Sequence, residues 1–155
     1  MPTARRSRTI AAPVAELWDL VRDPHHLPRW WPRVTRVEDV REDVFTEVMT
    51  TAKGKLVRAD FSTVATDERA HTITWAQTVQ GTPFARVLRS AETEVRLTSA
   101  QPAGEPPSGV QATQVTIELR QALTGFFPRF GGFLVRRAAS ATLEQALDGL
   151  ERISG

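Results

Sequence analysis

Cysteine and tyrosine are absent from this 155-residue chain, and lysine occurs only twice. Without cysteine there is no disulfide, no thiolate nucleophile and no cysteine-ligated zinc. Without tyrosine, phenol acid–base chemistry is excluded. No apolar run approaches the ~18 residues that a membrane-spanning helix requires. The first residues, MPTARRSRTIAAP, are basic but lack the apolar centre of a secretory signal. The chain therefore reads as intracellular and cytoplasmic, with no stable membrane insertion.

Excess charge is scarce too. The net charge is only +2, although the isoelectric point is 9.9. Eighteen of the 20 basic residues are arginine. With so few Lys and no Cys or Tyr, almost nothing titrates between histidine and arginine. A small excess of base therefore lifts the isoelectric point without creating a strong field at neutral pH. A GC-rich coding bias accounts for the arginine more simply than a phosphate-binding surface does. No nucleic-acid partner is expected.

What is present is strongly patterned. The length suits one domain, 1–155, with one core. Arg5–Ile10 reads as a first strand. Ala11-Ala12-Pro13 opens a helix with Pro13 at its first position, and Val14, Leu17, Trp18 and Val21 form one apolar stripe. Asp23-Pro24 stops it. PHHLPRWWP, Pro24–Pro32, follows, with a short helical turn predicted around His25–Trp30.

From Val34 the period changes to two. Val34–Arg41, Val44–Thr51, Leu56–Thr66, Thr72–Gln80, Phe84–Ser99 and Val110–Ala122 read as strands. Short polar or glycine turns join most of them, which predicts an antiparallel meander. Gln101–Gly109, QPAGEPPSG, predicts a longer, mobile loop. After Gly131-Gly132, the residues Arg136, Ala139, Leu143, Ala146, Leu147 and Leu150 share one helical face. A 20-residue helix there is ~30 Å long, enough to cross a sheet.

The fold class is therefore α+β. A curved antiparallel sheet of six or seven strands wraps a long C-terminal helix, with two short helices after the first strand. This is the helix-grip arrangement. Three stretches resemble the START-like, or SRPBCC, superfamily and its polyketide cyclase/dehydrase and lipid transport group. They are IAAPVAELWDLVRDPHHLPRWWPRV (Ile10–Val34), HTITWAQ (His71–Gln77) and the closing LEQALDGLERI (Leu143–Ile153). Where many relatives turn on Gly-Gly-Thr before the last strand, this chain has Ser108-Gly109-Val110. The resemblance implies a cavity between helix and sheet, suited to a lipid, polyketide or isoprenoid, with no cofactor. It also implies that Pro24–Pro32 closes one end of that cavity. None of these motifs is a catalytic signature.

His25 and His26 are adjacent and point ~100° apart on a helix, so they do not suit one metal ion, and no HxxxH pair exists. Ser62, Ser90, Ser99 and Ser140 lie outside any Gly-x-Ser-x-Gly. Inward strand positions remain. Ile73, Trp75, Gln77 and Val79 share a face, which brings Gln77 inward. Val87, Arg89, Ala91, Thr93, Val95 and Leu97 share another, which brings Arg89 inward. Arg136 lies on the last helix's stripe. Two arginines and an amide suit an anionic or carbonyl-rich ligand.

Leu56–Thr66 has two phases. One buries Leu56, Arg58, Asp60, Ser62 and Val64; the other buries Val57, Ala59, Phe61, Thr63 and Ala65. Unpaired buried charge is costly, which favours the second. In the first, Arg58 and Asp60 become the best catalytic candidates. One of Trp30 and Trp31 is expected in the core and the other at the cavity or surface. Phe126, Phe127, Phe130 and Phe133 form a second aromatic group.

The expected ligand-binding set is thus Trp31, Phe61, Trp75, Gln77, Arg89, Phe127 and Arg136. Three functions stay open: binding or transfer of a hydrophobic small molecule, a cyclase, aromatase or dehydratase in the same cavity, or a protein-interaction module.

Overall fold

The computed structural model describes residues 3–100, 111–125 and 131–154. The expected loop at Gln101–Gly109, the turn Ser108-Gly109-Val110, and Phe126, Phe127 and Phe130 lie outside the described residues. Seven strands form one antiparallel sheet. They are β1 (Thr3–Ile10), β2 (Val34–Arg41), β3 (Val44–Thr50), β4 (Leu56–Asp67), β5 (Thr72–Gln77), β6 (Leu88–Ser99) and β7 (Thr113–Leu123). The order β1-β7-β6-β5-β4-β3-β2 is a meander from β2 to β7, with β1 added beside β7. Three α-helices accompany the sheet: α1 (Val14–Arg22), α2 (Leu27–Trp30) and α3 (Gly131–Ile153). This is the curved-sheet, helix-grip architecture expected from the pattern.

Local chemistry explains most boundaries. Pro13 is the N-cap of α1 rather than its first helical residue, because its ψ of 149° is extended. Leu17, Trp18 and Val21 form the buried face of α1, and Trp18 Nε1 donates to Glu68 at 2.8 Å. Asp23 accepts from the backbone N–H of His25 and starts a 3₁₀ turn, Pro24–His26, that runs into α2. The sixth strand starts at Leu88 rather than Phe84, because Pro83–Arg86 forms another 3₁₀ turn with proline at its start. Proline supplies no N–H for a ladder there.

The core lies between the inner face of the sheet and the helices. Ile10, Leu17, Val21, Leu27, Trp30, Leu97 and Ile117 meet Leu143, Leu147 and Leu150 of α3, all at most 2% exposed. Burial of each such side chain is worth about 1.5–3 kcal/mol. Ala139, Leu143, Ala146, Leu147 and Leu150 are the buried stripe of α3. The polar flank of the helix is tied to β1, where Arg8 pairs with Glu144, Asp148 and Glu151, and Arg6 with Glu144. Gly149 lets α3 touch α2, since a β-carbon there would overlap the Trp30 carbonyl. The helix therefore leans on β1, β7 and α2 and stands clear of the middle of the sheet.

Candidate functional site

That offset leaves a cavity of about 140 Å³ under α3. Its walls come from seven elements: Leu27 of α2 and the following Trp31; Glu47 and Met49 of β3; Phe61 of β4; Trp75 and Gln77 of β5; Ala91 and Thr93 of β6; Leu119 and Gln121 of β7; and Thr142 of α3. Strand alternation sets this floor. Phe45 faces Phe61, and Phe61 faces Gln77 across the ladders. The next row runs Thr63, Trp75, Thr93, Leu119. Phe45 stacks on Phe61 with ring centroids 5.4 Å apart and meets Trp75 edge-on at 6.3 Å. A second recess of about 320 Å³ shares Trp31, Met49 and Thr142 with the first and continues past Pro32, Arg33 and Phe84.

Four of the sequence-derived candidates, Trp31, Phe61, Trp75 and Gln77, therefore come together on one cavity wall. The tryptophan pair divides as expected: Trp30 is in the core and Trp31 borders the cavity, the two rings meeting edge to face at 5.5 Å. The second phase of β4 is the observed one from Val57 to Thr63; a register shift between Thr63 and Ala65 then breaks it, and Ala65 is exposed. Ala59 is buried, while Arg58 and Asp60 are exposed on the other face. There Arg58 pairs with Glu38, and Asp60 accepts from Thr46.

Arg89 and Arg136 do not reach the cavity. The ladder register shifts between Leu88 and Ser90, so Arg89 is the extra residue of a bulge. Leu88 turns inward in its place and Arg89 is exposed. Arg136 precedes the first buried residue of α3, Ala139, and is exposed with Phe133 and Leu134. Phe127 lies outside the described residues.

The residue that sequence reasoning missed is Glu47. It is 6% exposed, borders the cavity and faces Val37 and Ala59 across its two ladders. Burial without a compensating partner pushes its carboxyl up from 4.5 to about 8. At neutral pH it is mostly a neutral acid, a form able to donate a hydrogen bond. Two neighbouring cavity side chains also hold buried donors that meet no acceptor in the protein, Trp75 Nε1 and Gln77 Nε2. The signal lay in the alternation Phe45, Glu47, Met49, which places the carboxyl between two inward apolar residues.

The histidines form no such centre. His25 Nδ1 lies 2.8 Å from Asp23, His26 Nδ1 lies 3.1 Å from an Arg29 guanidinium nitrogen, and His71 packs edge-on against Trp18. Among the described residues, no group of three His, Cys, Asp or Glu could hold a metal ion. Among the same residues, no helix is long and apolar enough to cross a membrane.

A sheet-and-helix fold of this kind has relatives. The family model described as polyketide cyclase/dehydrase and lipid transport matches residues 1–155. The chain belongs to this family. It is a START-like, SRPBCC protein. Solved structures with the same fold include a START superfamily protein from Mycobacterium smegmatis, at TM-score 0.72 and 17% identity over 96% of this chain and 94% of that one. The di-domain ARO/CYC protein BexL of the BE-7585A biosynthetic pathway aligns at TM-score 0.75 and 21% identity, over 98% of this chain and 46% of BexL. XoxI from Bacillus cereus aligns at TM-score 0.74 and 12% identity over 98% and 94%. These likenesses establish fold. No curated protein matches the sequence.

Proposed function

We propose that this START-like protein holds a small, largely apolar molecule between α3 and the inner face of its sheet. The observation that carries the reading is the cavity itself. It is enclosed chiefly by Leu27, Trp31, Met49, Phe61, Trp75 and Leu119, and the helix that covers it is held away by contacts elsewhere. A dry apolar cavity of about 150 Å³ accommodates a benzene-sized guest. The recess past Trp31 gives a larger guest somewhere to extend. An interaction module would gain nothing from a hollow interior. We place this activity in the cytoplasm, in keeping with a cysteine-free chain.

Native mass spectrometry of protein purified from its own organism tests the reading. A co-purifying small molecule is expected, as is a rise in melting temperature with members of a lipid and polyphenol panel. Narrowing the cavity with Ala91→Phe should abolish both while the protein still melts cooperatively. Bare protein that no compound stabilises would overturn the proposal.

A second reading is a cyclase- or dehydratase-type enzyme, as in the family's description. One observation favours it: Glu47, whose carboxyl titrates at about 8, is suited to move a proton near neutrality. Turnover of a reactive β-ketone that disappears in Glu47→Gln, with binding retained, would support it.

A further inference from the structure

The cavity's polar groups form a pattern that selects among apolar guests. Trp75 Nε1 and Gln77 Nε2 lie two residues apart on the same face of β5, each buried without an acceptor. Glu47 lies two strands away on β3 and one same-face position beyond the Phe45–Phe61–Gln77 row, ~12 Å from Gln77 at the usual strand spacing and rise and farther from Trp75. Indole is a donor only, and a neutral carboxyl donates one hydrogen bond. An unmatched buried donor costs about 1–3 kcal/mol, which an acceptor on a guest relieves.

Cationic side chains are missing from this wall. No Arg, Lys or His lines the cavity among the described residues. Arg33 borders the adjoining recess. The charged neighbours of Glu47 on β2 and β4, namely Glu38, Arg58 and Asp60, lie on the opposite face of the sheet and pair there. From α3, Thr142 faces the cavity, and from β7, Leu119 and Gln121.

We infer that the cavity selects an uncharged ring compound, whose carbonyl oxygen accepts from Trp75 Nε1 and Gln77 Nε2 and whose second acceptor meets the protonated carboxyl of Glu47. This inference rests on the ligand-binding reading above and gives that ligand a chemical class. A carboxylate guest is rejected, because its charge would be buried without a counterion. Affinity depends on pH. Below about 8, Glu47 donates; above it, an anion faces the guest's acceptor and repels it. Binding is therefore strongest below this pH and falls as pH rises through it.

Four probes test this on the full chain, by calorimetry and tryptophan fluorescence. 4-Chromanone carries a carbonyl and a ring oxygen on opposite edges of one ring, 1-tetralone only the carbonyl, and tetralin neither; 2-naphthoate is an anion of similar size. At about pH 6, 4-chromanone should bind tightest, then 1-tetralone, then tetralin, with steps of about tenfold for each hydrogen bond. 2-Naphthoate should bind weaker than tetralin. At about pH 10 the advantage of 4-chromanone over 1-tetralone should vanish in the wild type. In Glu47→Gln, whose amide still donates, it should persist at both pH values. Gln77→Leu and Trp75→Phe should lose the preference for 1-tetralone over tetralin, read as the ratio of the two affinities within each variant. Should Trp75→Phe fail to fold, Gln77→Leu carries that comparison alone.

Equal binding of tetralin and the ketones at about pH 6 would overturn this inference and leave the ligand-binding reading standing. Tightest binding by 2-naphthoate would do the same. Failure of all four probes to bind would overturn the inference and weaken the reading itself.

Discussion

Glu38 and Glu47 are the same residue on adjacent strands, one ladder step apart and on opposite faces of the sheet. Glu38 sits opposite Thr46, and Glu47 sits opposite Val37. On the outer face, Arg58 donates to both Glu38 oxygens, at 2.8 and 3.2 Å, and Arg36 lies 3.7 Å away. The Arg58 guanidinium holds that carboxyl below its ordinary value. On the inner face, Glu47 meets Ala59 and the cavity, and burial pushes it up to about 8. Other carboxylates beside the outer-face arginines are paired as well: Arg120 reaches Glu92, Glu94 and Glu118. Among the described residues, the buried carboxyl of Glu47 is the exception. A folded domain tolerates a partnerless buried carboxyl only at a cost, which is why we read this position as functional rather than architectural.

The largest effect should come from opening the wall that isolates Glu47. Phe45, at residue i−2 on the same face, is 2% exposed and stacked on Phe61. Phe45→Ala should lower unfolding free energy by about 3–5 kcal/mol in urea titrations. It should also let water reach Glu47, so that its carboxyl, followed by carbon-13 NMR, titrates nearer 4.5. A destabilised variant whose Glu47 still titrates near 8 would mean that some other wall keeps the carboxyl dry.

Next in size is the pH dependence carried by Glu47. Its folded value of about 8 exceeds the ordinary 4.5. Between these values the folded state holds a proton that the unfolded state has released. Stability from this group is thus full below 4.5 and declines as pH rises towards about 8, by at most ~1.4 kcal/mol per pH unit. Over that span the total is on the order of a few kcal/mol. Glu47→Gln should remove the decline, so that the variant is the more stable protein at about pH 9 and nearly equal to the wild type at about pH 4.5. Parallel urea midpoints for the two proteins across that range would show that Glu47 is not the group responsible.

The comparison also shows where sequence reasoning stops. The rule that unpaired charge avoids the interior placed β4 correctly, with Ala59 and Phe61 inward and Arg58 and Asp60 outward. Applied to β3, the same rule prefers the charge-free face Val44, Thr46, Val48 and turns Glu47 outward. The structure turns Glu47 inward, because Phe45 and Met49 belong to the aromatic wall and alternation carries Glu47 in with them, while Thr46 and Val48 are covered on the other face. Arg89 failed for a different reason. Its strand alternates correctly from Ala91 to Leu97, and the bulge at Leu88–Ser90 then reverses the phase. A bulge depends on the partner strand β7, and period-two counting along one strand does not see it. Arg136 continued a genuine helical stripe beyond the part of α3 that the core covers. Element order, the α1 stripe and the division of labour between Trp30 and Trp31 rest on local pattern, and these were legible. Cavity chemistry rests on which residues a register brings opposite each other.

A smaller effect is expected where α3 is held rather than where it bridges the cavity. Gly149→Ala would drive a β-carbon into the Trp30 backbone. It should cost about 1–3 kcal/mol and tilt the helix that roofs the cavity. Guest binding should then weaken along with stability, whereas Glu47→Gln alters pH dependence with the helix in place. Unchanged binding in a destabilised Gly149→Ala would separate the anchor from the roof.

The smallest effect belongs to the other glutamate. Glu38→Gln breaks the contacts with Arg58 and Arg36 on a face where all three side chains touch water. Solvent screens such pairs, and most contribute little. The urea midpoint should barely move at neutral pH, and whatever shift appears should disappear in ~1 M salt. Its sign with pH is also opposite to that of Glu47. A carboxyl held below its ordinary value contributes at neutral pH and loses that contribution as pH falls through 4.5 towards its folded value. Raising the pH from about 4 to about 9 should therefore move Glu38→Gln to the less stable side of wild type and Glu47→Gln to the more stable side. If both variants moved to the same side of wild type, the two faces of the sheet would not differ in the way their partners indicate.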